Sequence, residues 1–272
     1  MKHQAKTVAV VIPMPNRSEL TAEEQISFRH LRHYLGRYDK YLVVPRSLKL
    51  GWPGFQLKIF HERFFGSVKA HRQLLFSPCF YEAFTDYKYI LIYHPDALVF
   101  SDQLEFWCDL DFDYIGAPWV KHKDAPYRGQ TAYEGKVGNG GFALMKVDSF
   151  LRIFYSRVRY IEPRDYWQGY RHRAFHTRLA NLPKKLLKHF TSFNGAKWEL
   201  KRFDSNDDNF WANRGPHYYP QFRIAPVETA LRFAFECVPR YCFELNNNTL
   251  PFGCHAWARY DREFWEPYLL AE

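Results

Sequence analysis

The chain has 272 residues, 47% of them hydrophobic and 19% aromatic, with a formal net charge of +9. That length and apolar content exclude a disordered or low-complexity chain, and the longest apolar runs, such as Val8 to Met14 and Tyr89 to Tyr93, fall far below the roughly 20 residues that cross a bilayer. Five cysteines, odd in number and without CxxC spacing, suggest neither a disulfide framework nor a zinc site, so a reducing cytoplasm is the expected home.

The opening MKHQAKTVAVVIPMPN has a basic start, but its apolar part stops at Pro13 without a small-residue cleavage pattern. It reads as a first strand over Thr7 to Ile12, not as a signal peptide. Thr21 then offers a helix N-cap with Glu24 three residues on. Phe28, Leu31 and Leu35 mark one apolar helical face before Gly36. A second strand follows at Tyr41 to Val44, and strand, helix, strand favours a parallel α/β sheet with ligands at the strands' carboxyl ends. Ser67 to Phe76 reads as a helix, and Ser77-Pro78 starts another toward Asp86. Strands are expected at Tyr89 onward, at Asp113 to Trp119 and at Phe142 to Met145, with Gly138-Asn-Gly-Gly141 a turn needing positive φ or close approach.

The basicity is local. Between Leu151 and Phe203, 13 Lys and Arg stand against three Asp and Glu, so the rest of the chain is near neutral. This segment is helical in part, with interruptions expected at Pro163 and Pro183, and reads as an insertion or lid.

Three clusters carry polar chemistry. In YILIYHPDALVF, His94 and Asp96 are two apart and would share one face of a regular strand, although Pro95 argues that pairing ends there. Either Asp96 caps a turn, or it meets a ligand at a strand's carboxyl end, where a hard cation would need oxygen ligands. In NDDNFW, Asp207 and Asp208 would raise one another's pKa in a pocket, as a general base requires, or sit solvated at a helix start. In LPFGCHAW, His255 is a satisfied core residue or a ligand, and Cys254 an apolar filler. GNGG lacks both GxGxxG spacing and a following Lys-Ser/Thr, which disfavours a dehydrogenase and a P-loop enzyme.

Taken in order, YILIYHPDALVF, DYIGAPW, GNGGFALM, NDDNFW and LPFGCHAW resemble an uncharacterised-domain family of bacterial glycosyltransferase-like proteins in the GT-A superfamily, and LLFSPCFYEAF fits too. The match runs from about Thr7 to Trp265, with the basic segment least covered. The resemblance implies a single Rossmann-like GT-A domain over 1–272, its mostly parallel sheet flanked by helices, with the basic insertion at about 151–203. It implies a divalent metal, Mn²⁺ or Mg²⁺, at Asp96 with His255 and His94, holding the diphosphate of a nucleotide-sugar donor. Asp208, with Asp207 in reserve, would be the base of an inverting transfer. Asn139, Gly140 and Gly141 would underlie the donor sugar, Trp119 and Trp211 would stack on sugar faces or pack in the core, and Asn16 and Arg17 would contact the nucleotide. This sequence departs from the family pattern where Gln-x-Asp is usual and it has His94-Pro95-Asp96, where Ser-Leu-Arg is common and it has Ala143-Leu144-Met145, and where Glu is usual and it has Asp207.

The expected function is transfer of a sugar to a polysaccharide, lipopolysaccharide or lipid-linked glycan. The alternative is a noncatalytic carbohydrate- or nucleotide-sugar-binding protein that keeps the fold. The basic segment would meet an anionic glycan, a phosphorylated lipid carrier or the inner membrane surface, or else be a solvated helical face. Nucleic acid is not expected as a partner, given the near-neutral remainder and the ordered acidic motifs.

Overall fold

The computed structural model describes residues 6–48 and 51–271, so the basic first residues lie outside it. In chain order the elements are β1 (Lys6–Pro13), α1 (Ala22–Leu35), β2 (Asp39–Pro45), β3 (Gln56–Phe60), α2 (Val68–Leu75), α3 (Pro78–Glu82), β4 (Tyr87–Tyr93), β5 (Leu98–Val99), α4 (Leu104–Asp109), β6 (Tyr114–Trp119) and β7 (Lys136–Lys146). They continue with α5 (Val147–Phe154), α6 (Pro163–Gln168), α7 (Phe175–Leu187), α8 (Ala196–Leu200), α9 (Asp207–Asn213), β8 (Ala234–Phe235) and β9 (Gly253–Cys254), with short helices between and after the last strands.

Strands that are apolar at every position must be covered on both faces. Alternation along β1 and β4 does this: Val8, Val10, Ile12, Leu91 and Tyr93 join the core under α1, while Ala9, Val11, Ile90 and Ile92 join a second core under α2, α3, α5 and α9. The sheet order is β3-β2-β1-β4-β7-β6. The first four strands are parallel, and β7 runs antiparallel to both neighbours. The expected mostly parallel sheet flanked by helices is therefore present. On α1 the capping box forms as read, with Thr21 Oγ1 accepting from the Glu24 amide at 3.3 Å and Glu24 Oε2 accepting from the Thr21 amide at 2.9 Å.

Three local expectations are corrected. Gly138 to Gly141 is no turn: it lies inside the long strand β7, because β6 supplies a ladder partner, and close approach of other groups is what requires Gly138 and Gly141. Pro183 does not interrupt the basic segment but sits inside α7, while Pro163 opens α6 at its first turn, where a missing amide costs nothing. Ser77 occupies the N-cap of α3 without a side-chain cap bond, and that helix stops at Glu82. Pro118 lies within β6, which is tolerated because β6 is an edge strand. Strand β3 and a small second sheet, β5-β9-β8, were not anticipated.

Candidate active site

The break in YILIYHPDALVF is a turn. β4 ends at Tyr93, the His94 amide donates to Gly141 O at 2.9 Å, and the Ala97 amide donates to His94 O at 2.9 Å. Pro95 therefore occupies the second position of a four-residue turn, which its fixed φ favours. Pairing thus ends at Pro95 as the sequence argues, His94 and Asp96 share no strand face, and the turn carries both to the carboxyl end of the parallel strands.

The small sheet brings in the rest. Leu98 of β5 pairs antiparallel with Cys254 of β9, so the residues before β5 and after β9 meet, placing Asp96 beside His255. Phe235 of β8 pairs in parallel with Cys254, so Glu236 also arrives beside His255. The His255 ring spans the two acids: Nδ1 lies 2.8 Å from Glu236 Oε1 and Nε2 lies 3.4 Å from Asp96 Oδ1. The Asn139 side-chain amide donates to Glu236, and its carbonyl oxygen accepts from the Gly141 amide at 3.1 Å. Ala256 follows at φ +51°, a conformation that non-glycine residues adopt rarely and often at functional positions.

The ring of His255 lies where a side chain on residue 141 would be: a Cβ there would stand 2.2 Å from Nε2. This is the close approach that Gly141 permits. Gly140 faces the other side of β7, where its Cβ would meet Asp207 Oδ2 at 3.5 Å and Asp208 Cβ at 3.7 Å. The acid pair and the histidine cluster thus lie across a strand thinned to bare backbone.

Ligand atoms of His94, Asp96 and His255 lie within 4.8 Å of one another. Ligands on opposite sides of a divalent ion stand about 4 to 5 Å apart, so the spacing fits a bound cation. His94 Nε2 is buried without a hydrogen-bond partner, as a lone pair reserved for a ligand would be. Glu236 holding Nδ1 of His255 leaves Nε2 for the same point, the carboxylate–histidine arrangement common behind metal ions.

Electrostatics agree. Burial alone would lower the His255 pKa, but Asp96 and Glu236 outweigh it and raise it to about 10. Burial works against ionised Asp96, yet His255 draws it down to about 2. Burial, with His71 and His255 adding to it, pushes His94 well below the ordinary imidazole value. Asp96 and Glu236 thus favour a positive charge between them, on His255. Burial also pushes Asp207 up to about 6 and Asp208 well above the carboxylate range, with Asp207 the second cause for Asp208. Asp207 Oδ2 is buried without a partner, so the solvated helix-start reading of the pair does not hold.

A cavity of about 610 Å³ opens beside the cluster, between the end of β1, the loop into α2 and the His94–Asp96 turn. Asn16 and Arg17 line it, Arg17 tied to Glu24 at 2.5 Å. The amino terminus of α2, capped by Ser67, opens onto it, a place where free amides favour anions. Trp119 and Trp211 are 3% and 0% exposed and packed in apolar clusters, so neither offers a face to a sugar. Sequence reasoning missed Glu236 and also His71, which is half-buried in the cavity wall with its Nε2 buried and unpartnered and its ring 5.1 Å from that of His94. An acid in the apolar run Phe235-Glu-Cys-Val was the available signal for Glu236.

Residues 54–255 match the family described as protein of unknown function DUF5672, and the chain belongs to that family. No curated protein matches it. Among solved structures it is similar to galactosyltransferase LgtC in complex with donor and acceptor sugar analogs, at 12% identity over 97% of each chain with a TM-score of 0.50. It is also similar to an active-site mutant of LgtC (14% identity, 97% of each chain, TM-score 0.49). A further likeness is to the apo-form glycosyltransferase GlyE of Streptococcus pneumoniae TIGR4 (12% identity, 98% of this chain, TM-score 0.44), of which this chain spans 61%. At such identities the shared property is the fold, which is that of the GT-A glycosyltransferases.

Proposed function

We propose that this DUF5672 member is a glycosyltransferase, a single cytoplasmic domain that moves a sugar from a nucleoside-diphosphate sugar to a surface-glycan acceptor with inversion. The observation that carries the reading is the meeting of His94, Asp96 and His255 beside a cavity at the carboxyl ends of parallel strands, where α/β folds bind nucleotides. The donor and acceptor sugar analogs held by LgtC on the same fold support it.

In this reading the nucleotide lies in the cavity along Asn16 and Arg17, its phosphates toward the amino terminus of α2 and the His94–Asp96 turn. A divalent ion held by His94, Asp96 and His255 would supply a Lewis acid for the departing diphosphate. Two imidazoles with one carboxylate suit Mn²⁺ better than Mg²⁺, which prefers oxygen. Asn139 keeps Glu236, and through it His255, in place, and Gly141 lets the His255 ring lie against the strand backbone. Asp208 takes the proton of the acceptor hydroxyl as that oxygen bonds to the anomeric carbon, and the anomeric bond to the diphosphate breaks with its electron pair leaving on the nucleotide. Burial, with the neighbouring Asp207 second, holds Asp208 well above the carboxylate range, which raises its affinity for that proton.

The test is release of nucleoside diphosphate from a panel of nucleotide sugars with Mn²⁺, water serving as acceptor. Asp208→Asn should lower kcat by about 100-fold or more while leaving donor KM within a few-fold, the signature of a lost general base. Full turnover by Asp208→Asn would remove that assignment. Donor binding without turnover in the wild type would favour the noncatalytic binding protein.

A further inference from the structure

Helix α7 is amphipathic in sequence. At 3.6 residues per turn, Phe175, Leu179, Leu182 and Leu186 fall in one stripe, with Thr177, Arg178, Asn181 and Lys185 on the adjoining face. A surface helix of a globular protein turns such a stripe toward the core. This one is reversed. Phe175 is 78% exposed, Leu179 58%, Leu182 41% and Leu186 59%, whereas Thr177, Arg178, Asn181 and Lys185 are the half-buried positions. The polar side is the docked side: Arg178 and Lys185 lie over the ring of Trp167 in α6, 5.8 and 4.8 Å from its centre. The stripe therefore faces outward by construction, because the cation–π contacts hold the helix in that rotation.

The charge around the stripe is one-sided. From Tyr166 to Trp198 there is no Asp or Glu, against seven Lys and Arg. A second copy of the chain docked on this face would bring the same uncompensated cations together. An anionic bilayer supplies both missing complements, acyl chains for the leucines and phosphates for the cations.

We propose that α7 lies in the plane of an anionic membrane surface, with Phe175, Leu179, Leu182 and Leu186 sunk at the acyl boundary and the basic flanks on the headgroups. The proposal goes beyond the transferase reading and does not rest on it, since its test reads binding alone. Full-length protein is sedimented with vesicles of phosphatidylcholine and of phosphatidylcholine mixed with phosphatidylglycerol. It should partition onto the mixed vesicles and not the neutral ones, and high salt should weaken the binding. The double variant Leu179→Gln/Leu186→Gln keeps helix propensity and alters only exposed side chains, so its thermal melting should match the wild type. Its partitioning should fall by about tenfold or more, as expected when two leucines no longer bury. The double variant Arg173→Glu/Lys184→Glu, at two exposed positions, should also weaken binding to mixed vesicles. Three results would overturn the proposal: no sedimentation with the mixed vesicles, undiminished binding by the leucine variant, or self-association in ultracentrifugation that the leucine variant abolishes, which would assign the stripe to a second copy.

Discussion

His255 shows how a single residue acquires a role through its neighbours. A lone histidine in an apolar stretch reads as core, and its place among ordered motifs marked it as a ligand candidate together with His94 and Asp96. Glu236, which fixes its tautomer, was invisible in the sequence because only the pairing of Phe235 with Cys254 brings it near. Glu236→Gln should therefore leave the fold intact and lower Mn²⁺ affinity by about 10- to 100-fold, measured by titration calorimetry. The acid pair makes a second residue-scale prediction. Asp207, raised to about 6 by burial, favours the folded state most below its unfolded value near 4, and that contribution is lost as pH rises through about 6. Asp207→Asn mimics the protonated form, so it should flatten this part of the stability–pH curve and stabilise the protein above pH 6 by at most about 3 kcal/mol in denaturant titrations. A parallel fall in activity would accompany the gain, since strained groups at sites are held against stability.

Among the elements, those with local signals were legible. The β1-α1-β2 opening announced itself through its β-branched run, capping box and helical stripe, and each is found in place. β7 was not, because glycines signal both turns and close approach, and only a partner on each side of the strand decides between them. The two-residue strands β5, β8 and β9 are too short for any period to show, although they set the register of the site. β7 holds two separable positions: Gly141 admits the His255 ring, and Gly140 before it faces the acid pair. Gly140→Ala tests the second. The new Cβ would make only ordinary contacts at 3.5 and 3.7 Å, so the melting temperature should change little. If Asp208 works past Gly140, nucleoside diphosphate release should fall by about tenfold or more, given how steeply rates depend on placement near the reacting atoms. Unchanged turnover would mean that the acid pair acts elsewhere.

For the whole molecule, the fold class was legible because continuous apolar strands alternate with amphipathic helices, a pattern that forces a sheet covered on both faces. The antiparallel turn of β7 and the outward stripe of α7 were not, since both depend on what packs against each element. Among the described residues no helix is long and apolar enough to cross a membrane. The proposed site would draw on distant parts of the sequence: Asn16 and Arg17 line the cavity with the His94 to Asp96 turn, and His255 stands beside that turn. The measurement that tests this most directly is a thermal-shift screen of nucleotide sugars with and without Mn²⁺, on the wild type and on Asp96→Ala. At a ligand concentration of about 100 Kd, binding should add about 2.7 kcal/mol and raise Tm by several degrees for the cognate donor, only with Mn²⁺ and only in the wild type. A shift of equal size in Asp96→Ala or in the presence of EDTA would contradict the metal-centred site, and no shift with any donor would contradict the transferase itself.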